Sequence, residues 1–310
     1  MFTRLPSPEY HVPVLARQTI DLLVTDTHGT YVDLTLGGGG HTRGIFERIE
    51  SEGVLIGCDQ DVESLDFCRN ALPSSVQLIQ CRFSEVASRL TPLLPEGVTG
   101  VLMDLGVSSH QLDDPARGFS HRHSGPLDLR MNQVSGETAT DLLGRLGESE
   151  LVGIIRDYGE DSQARRIARA IVQRRAQAPI TTTDQLAEVI AKAVPATRVK
   201  SLSRVFQALR IAVNHEMDEL DAGLRAAWEL LRPTGRLVVI SYHSLEDRRV
   251  KQFMKEKCEI PDDHRLPIPH PNQQLRAKLI VRKPITPDTI EIEINPRARS
   301  AKLRCIEKIR

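Results

Sequence analysis

Four consecutive glycines at the end of a short apolar alternation constrain this chain more than any other feature. In Tyr31-Val-Asp-Leu-Thr-Leu-Gly37-Gly-Gly-Gly40-His41, the residues Val32, Leu34 and Leu36 alternate with shorter or polar ones before the glycines begin. The pattern predicts a strand running into a turn where no side chain obstructs a ligand. A second apolar run, Gly53-Val-Leu-Ile-Gly-Cys-Asp59, delivers a carboxylate at its tip. Open α/β sheets hold a nucleoside in this way, with backbone close to the ligand and the acid on the ribose hydroxyls.

The alternation continues beyond these two strands. Tyr31–Leu36, Val54–Cys58, Val76–Gln80 and Gly100–Leu105 are short apolar segments separated by helix-length stretches. A strand–helix repeat of this kind implies an α/β fold with a doubly wound, mostly parallel sheet and right-handed crossovers. Before it, residues to about Arg17 read as an arm and a helix ending near Leu23. The repeat stops at Asp104-Leu-Gly-Val-Ser-Ser109. From 112 to 213 the chain offers loops and amphipathic helical segments such as Glu150–Tyr158, Ser162–Gln177 and Thr183–Ala193. A helix at Met217–Leu231, the turn Arg232-Pro-Thr-Gly235 and a strand at Arg236–Tyr242 then resume it. The expected organisation is a sheet domain of residues 1–111 and 214–310 carrying an all-helical insertion, 112–213, for substrate recognition. Asp262–Pro287 reads as an extended loop, with closing strands at Thr289–Ile294 and Ala301–Ile306.

Composition excludes less than pattern does. The chain has 310 residues, 41 basic and 41 acidic, so nucleic-acid binding has to be argued from the placement of charge. The five cysteines form no CxxC pair, which reads as free thiols in a reducing compartment. No apolar run approaches the ~18 residues that would span a bilayer, so the expectation is a cytoplasmic protein without a membrane partner.

Which nucleoside follows from the glycine spacing. A dinucleotide fingerprint G-x-G-x-x-G needs a third small residue. Counting from Gly37 that slot is Thr42; counting from Gly38 it is Arg43. The pattern fails in both registers, which disfavours a nicotinamide oxidoreductase. S-adenosyl-L-methionine carries no phosphate and needs glycines only for close approach, so the sequence favours the methyl donor. Phe83, after the third strand, offers an aromatic edge for adenine. Asp104 ends the fourth strand beside the crevice where ligands sit, and a carboxylate there is costly to hide without a partner.

Longer motifs carry a resemblance. These are Leu36-Gly-Gly-Gly-Gly-His41-Thr, Met103-Asp-Leu-Gly-Val-Ser-Ser-His-Gln111-Leu-Asp-Asp, Arg117-Gly-Phe-Ser and Gly125-Pro-Leu-Asp-Leu-Arg-Met131. Phe206-Gln-Ala-Leu-Arg-Ile-Ala-Val-Asn214-His-Glu, Ser241-Tyr-His-Ser-Leu-Glu-Asp-Arg248 and Asn295-Pro-Arg-Ala-Arg-Ser300 complete them. From His11 nearly to its end the chain resembles the bacterial 16S ribosomal RNA cytosine-N4 methyltransferase family. Gly38 stands where an arginine is common, and His110 where a proline is common. The resemblance implies a class I methyltransferase (Rossmann-like) fold and N4-methylation of a cytidine in the decoding region of 16S rRNA. It implies cofactor contacts at Gly39, Gly40, His41, Asp59, Phe83, Asp104 and Gln111, of which His41 and Gln111 come from the family alone.

The chemistry that the resemblance implies is displacement at a sulfonium methyl by an exocyclic amine whose lone pair is delocalised into the ring. Asp104, or backbone carbonyls of the Asp104–Ser109 loop, is the expected acceptor that draws the nitrogen toward tetrahedral geometry. That loop lacks the two prolines and the aromatic that DNA amino-methyltransferases carry there. His243 is the second catalytic candidate, for a late proton or a base contact, against a plain role in holding its loop. For RNA, the sequence offers Arg165, Arg166, Arg169, Arg174 and Arg175 on one helical segment. A tail adds Arg297, Arg299, Lys302, Arg304, Lys308 and Arg310 against Glu307 alone. The expected partner is 16S rRNA in the small ribosomal subunit, and a homodimer is left open. His121, His123 and Asp128 make a weak metal pattern that the displacement does not need. A non-enzymatic RNA-binding factor with a vestigial pocket is the remaining alternative, and the intact glycine turn, Asp59 and Asp104 speak against it.

Overall fold

The computed structural model describes residues 13–259 and 275–309. The chain forms two compact units, Met1–Gly106 with Glu219–Arg310, and Val107–Asp218. The first begins with α1 (Ala16–Leu23), β1 (Thr30–Asp33), α2 (Gly40–Arg48), β2 (Val54–Asp59), α3 (Val62–Ala71), β3 (Gln77–Gln80), α4 (Val86–Leu90) and β4 (Val98–Asp104). The second holds α5 (Ser109–Asp113), α6 (Ala139–Arg145), α7 (Glu148–Asp157), α8 (Ala164–Arg175), α9 (Thr183–Ala193) and α10 (Arg198–Val213). Then follow α11 (Glu216–Leu230), β5 (Leu231–Ser241), α12 (Ser244–Cys258), β6 (Ala277–Leu279), α13 (Thr289–Ile294) and β7 (Lys302–Lys308).

The sheet has seven strands in the order β3-β2-β1-β4-β5-β7-β6. The first five are parallel, whereas β7 runs antiparallel to both β5 and β6. This is the doubly wound arrangement expected of a class I methyltransferase. Strand order reverses at β1 and β4, which places a ligand crevice at their carboxyl ends.

Strand periodicity explains how both faces are filled. Tyr31, Leu55, Leu102 and Val238 pack with α1, α2 and α3 residues such as Leu23, Ile45 and Leu65. Their neighbours Val32, Ile56, Met103 and Val239 turn the other way, onto Leu224 and Trp228 of α11 and Val250 of α12. The helical unit has its own core, including Leu142, Ile155, Ile167, Leu186, Ile190 and Leu209.

Three expectations need correction. Thr289–Ile294 is a helix, not a closing strand. Its Thr-Ile-Glu-Ile-Glu-Ile alternation reads as a strand, but the Asp288 carboxylate caps the turn by accepting from the Glu291 amide at 2.8 Å. The Glu291 carboxylate in turn accepts from the Leu15 amide at 2.5 Å. The segment read as a loop, Asp262–Pro287, contains β6 in its described part, while 260–274 lies outside the described residues. The turn Arg232–Gly235 is folded into β5 as an irregularity: Val98 pairs Leu231 while Gly100 pairs Arg236.

Candidate active site

After Asp33 the chain leaves the sheet between its neighbours, with the Leu34 amide donating to Leu102 O (3.0 Å) and the Leu36 amide to Cys58 O (2.9 Å). The glycine turn follows. Gly37 and Gly39 adopt left-handed φ of 48° and 75°, and Gly39 caps α2 without a side chain. A Cβ at Gly39 would lie 3.0 Å from Cys68 Sγ, and one at Gly40 3.1 Å from Pro13. At Gly39 the left-handed backbone favours glycine, and at both positions a side chain would crowd the protein's own packing, a different reason from the open ligand approach read from the sequence.

Three carboxylates end three neighbouring strands. Asp59, at the tip of β2, accepts from the Gly37 amide (2.8 Å) and the Asp61 amide (2.9 Å), so it pins the glycine turn to the sheet. Burial pushes its carboxyl up to about 7. Asp33, at the tip of β1, is fully buried. Its Oδ1 accepts from the Thr35 amide (3.0 Å) and hydroxyl (3.2 Å), and its Oδ2 from the Thr42 hydroxyl (2.6 Å). Burial raises its pKa, with the Thr42 hydroxyl opposing. The Thr35 hydroxyl also accepts from the Asp104 amide at 2.7 Å, which ties the end of β4 to the end of β1.

Asp104 is the third. Its Oδ1 accepts from the Tyr242 hydroxyl at 2.8 Å, and its Oδ2 lies 3.3 Å from His41 Nε2. The His41 ring is only 5% exposed and neither of its nitrogens has an aligned hydrogen-bond partner. Burial pulls the imidazole pKa down, but the carboxylates of Asp104, Asp33 and Glu291, Asp104 foremost, together more than offset this and the net shift is upward. Burial and the same carboxylate raise the Tyr242 phenol well above its usual value.

The sequence-chosen residues divide by environment. Gly39, Gly40, His41, Asp59 and Asp104 meet around the ends of β1, β2 and β4. Phe83 follows β3 half-buried, packed against the core that Met103 and α11 share; a Cβ on Gly223 would come within 2.9 Å of it. His243 begins α12: its Nδ1 accepts from the Glu246 amide at 3.4 Å, and its Nε2 stands 3.1 Å from Glu246 Oε1. Gln111 belongs to the helical unit, where its Oε1 accepts from the Ser108 amide at 3.0 Å. Sequence reading missed Asp33, Thr35, Thr42 and Tyr242. The signal was present for Asp33, an acid inside an apolar strand, by the argument that singled out Asp104.

The metal pattern and the basic clusters also resolve into individual contacts. Asp128 is clasped by Arg130 at 2.8 Å through both oxygens, and His121 stacks edge-on with Phe206. On α8, Arg165 and Arg166 are exposed, while Arg169 lies 3.7 Å from Glu148. Arg174 and Arg175 donate to the Ala178 and Leu143 carbonyls. The tail is less of a free patch than its sequence implies. Lys302 and Arg304 both pair with Asp247, at 3.0 and 2.7 Å, and Lys308 donates to the Trp228 and Leu231 carbonyls. Arg297 and Arg299 are exposed, and Arg310 lies outside the described residues. The five cysteines are free thiols, all but Cys258 buried. Among the described residues no helix is long and apolar enough to cross a membrane.

The sequence model of the MraW methylase family matches residues 9–309. The chain belongs to that family. A relative from Carboxydothermus hydrogenoformans, named ribosomal RNA small subunit methyltransferase H, is 46% identical over 308 residues, covering 96% of this chain and 98% of its own. A relative of the same name from Pelobacter propionicus is 44% identical over 310 residues, covering 96% and 98%. As a member of the MraW methylase family the chain is a methyltransferase, and the crevice at β1 and β4 is where its sheet would hold a methyl donor.

Proposed function

We propose that this methyltransferase uses S-adenosyl-L-methionine to methylate N4 of a cytidine in the decoding region of 16S rRNA, within the small ribosomal subunit. The observation that carries the reading is the Asp104 carboxylate. It stands at the switch point of the sheet, fixed by Tyr242 and the Thr35-bound backbone, and faces His41. The names of the relatives, ribosomal RNA small subunit methyltransferases, support the substrate class.

The residues fit this cofactor. The buried His41 Nδ1 has no hydrogen-bond partner of its own, which is costly unless a ligand supplies one, while Nε2 faces Asp104 at 3.3 Å. Asp59 has spare lone pairs beyond its two backbone bonds, suited to a ribose diol. Within the sheet unit, Gly39, Gly40, His41, Asp59, Phe83 and Asp104 are the proposed cofactor contacts. When bound, S-adenosylmethionine supplies an electrophilic methyl on a cationic sulfur. Asp104 then has two tasks: its negative charge balances the cation, and a free lone pair accepts a hydrogen bond from the cytosine N4. That bond draws the nitrogen lone pair out of the ring, toward the methyl carbon. Once N4 carried the methyl group supplied by the cofactor, its positive charge would lie beside the same carboxylate, which would stabilise it. The N4 proton, acidic at that point, passes to Asp104 or to water. Holding amine and methyl in line is worth about 7–11 kcal/mol when alignment is good. His243 remains the second candidate, but its ring faces Glu246 at the start of α12, so Asp104 carries the chemistry in this scheme.

The test is transfer of labelled methyl from S-adenosylmethionine to small ribosomal subunits from a strain lacking this gene, followed by nucleoside mass analysis. N4-methylcytidine at one 16S position is the expected product. No transfer to subunits or free 16S RNA, with cofactor binding intact, would overturn the substrate assignment.

A further inference from the structure

The Arg117–Met131 segment of the helical unit is built with a rigidity that the displacement chemistry does not call for. A Cβ on Gly118 would lie 2.2 Å from Pro126 O, and one on Gly125 would lie 1.9 Å from Pro115 O, so the loop closes on itself where only glycine fits. Leu129 is completely buried in the left-handed region at φ 64°, a conformation that costs a leucine free energy and persists only where its surroundings enforce it. Asn214 enforces it from both sides, accepting from the Met131 amide at 2.7 Å and donating to Leu129 O at 2.7 Å. The next stretch is pinned to the start of α9. The Thr183 hydroxyl donates to His123 O (2.7 Å) and accepts from the Gly125 amide (3.1 Å), the Thr183 amide donates to Gly125 O (3.0 Å), and Ser124 donates to Asp184 (2.6 Å).

What this scaffold presents is the tip Ser120-His121-Arg122. The His121 ring is half-buried against Phe206, with centroids 5.6 Å apart and planes at 69°, so a core aromatic braces it. Arg122 and His123 beside it are exposed. Burial, with the Arg122 charge adding to it, lowers the His121 pKa and favours the neutral ring.

We propose that this tip is a contact for unstacked RNA, with the His121 ring stacking on a nucleobase and Arg122 taking an adjoining phosphate. The inference rests on the rRNA reading for its partner class. A braced, flat ring beside an exposed guanidinium is what single-stranded RNA recognition uses, because every base offers a π-face and every linkage an anion. Rigidity has a purpose here, since a preformed contact loses little entropy on binding.

The full-length chain, His121→Ala, His121→Phe and Arg122→Ala would be compared for affinity to a short unstructured oligoribonucleotide and for KM toward unmethylated small subunits. Affinity for S-adenosylmethionine would be measured alongside. His121→Ala is expected to weaken both RNA readouts by about fivefold or more, and His121→Phe to retain them. Arg122→Ala is expected to flatten the salt dependence by about one unit of log–log slope. Cofactor affinity should not move in any variant. RNA binding by His121→Ala equal to the parent's overturns the proposal, as does equal loss in the alanine and phenylalanine variants. If the parent forms no N4-methylcytidine yet oligonucleotide binding still depends on the ring, the methylation reading fails and this contact stands.

Discussion

Tyr242 follows a buried strand and looks from sequence like one more core aromatic, yet its hydroxyl fixes one oxygen of Asp104. Tyr242→Phe removes that donor and leaves the ring. In the proposed mechanism the carboxylate then loses its orientation toward the amine, and kcat should fall about tenfold, the worth of one hydrogen bond to a charged group. Cofactor affinity should change far less. Single-turnover methyl transfer with equilibrium cofactor binding separates the two, and an unchanged kcat would remove Tyr242 from the mechanism. Asp59 supports a pH prediction. Burial holds its carboxyl at about 7, above its unfolded value, so the native chain binds the extra proton between those two values. Its contribution to stability is therefore full below the unfolded pKa and lost as pH rises through about 7. In the proposed site ribose hydroxyls would donate to the ionised form, so cofactor affinity should move the opposite way, tightening about tenfold between about pH 6 and about pH 8. Titration calorimetry across that range checks it, and Asp59→Asn should abolish the slope. Both effects depend on geometry that sequence conceals: it named Asp59 and Asp104, but no spacing rule places a tyrosine 138 positions away on the same carboxylate.

Elements were legible where one face had to be buried and obscure where local chemistry decided. The parallel strands and α7, α8 and α9 follow directly from periodicity, because their apolar residues fall on the core side. Thr289–Ile294 follows the strand period, but a cap at Asp288 and a bond from Leu15 make it helical. In that form Ile290 and Ile294 stay 67% and 70% exposed, a cost that periodicity alone would not accept. β6 is three residues long at a sheet edge, too short to carry a period. The end of α10 shows local chemistry acting across elements: Asn214 bonds Leu129, Met131 and Arg210 at once. Asn214→Ala leaves the Met131 amide and the Leu129 carbonyl without that partner and removes the clamp on a strained backbone. We expect a loss of about 2–3 kcal/mol, read from urea unfolding at unchanged m-value. A loss under about 0.5 kcal/mol would mean that the α9 contacts hold the loop without it.

At the scale of the molecule, equal numbers of acids and bases conceal an uneven distribution. Much of the cationic charge is paired with acids of the same chain. Arg236 pairs Glu307, Arg232 pairs Asp26, and Lys302 and Arg304 share Asp247. The tail that looks most basic in sequence thus keeps Arg297 and Arg299 as its exposed charges among the described residues. On α8, Arg165 and Arg166 remain exposed on a helix whose other face is core. Sequence could locate both clusters but could not tell them apart, since the acids that neutralise the tail lie far away along the chain. If α8 contacts phosphate, the double change Arg165→Glu with Arg166→Glu should raise KM for small subunits about tenfold or more. It should also reduce the log–log salt slope by about 1–2, because each lost phosphate contact removes its share of counterion release. Cofactor affinity and unfolding midpoint should stay put, as neither side chain is part of a core. Measuring KM across a salt series distinguishes this from a loss of shape: a structural defect shifts every point equally, whereas a lost phosphate contact changes the slope. An unchanged slope would assign α8 a solvated face and leave RNA recognition to the Ser120–Arg122 tip and the Arg297–Arg299 turn.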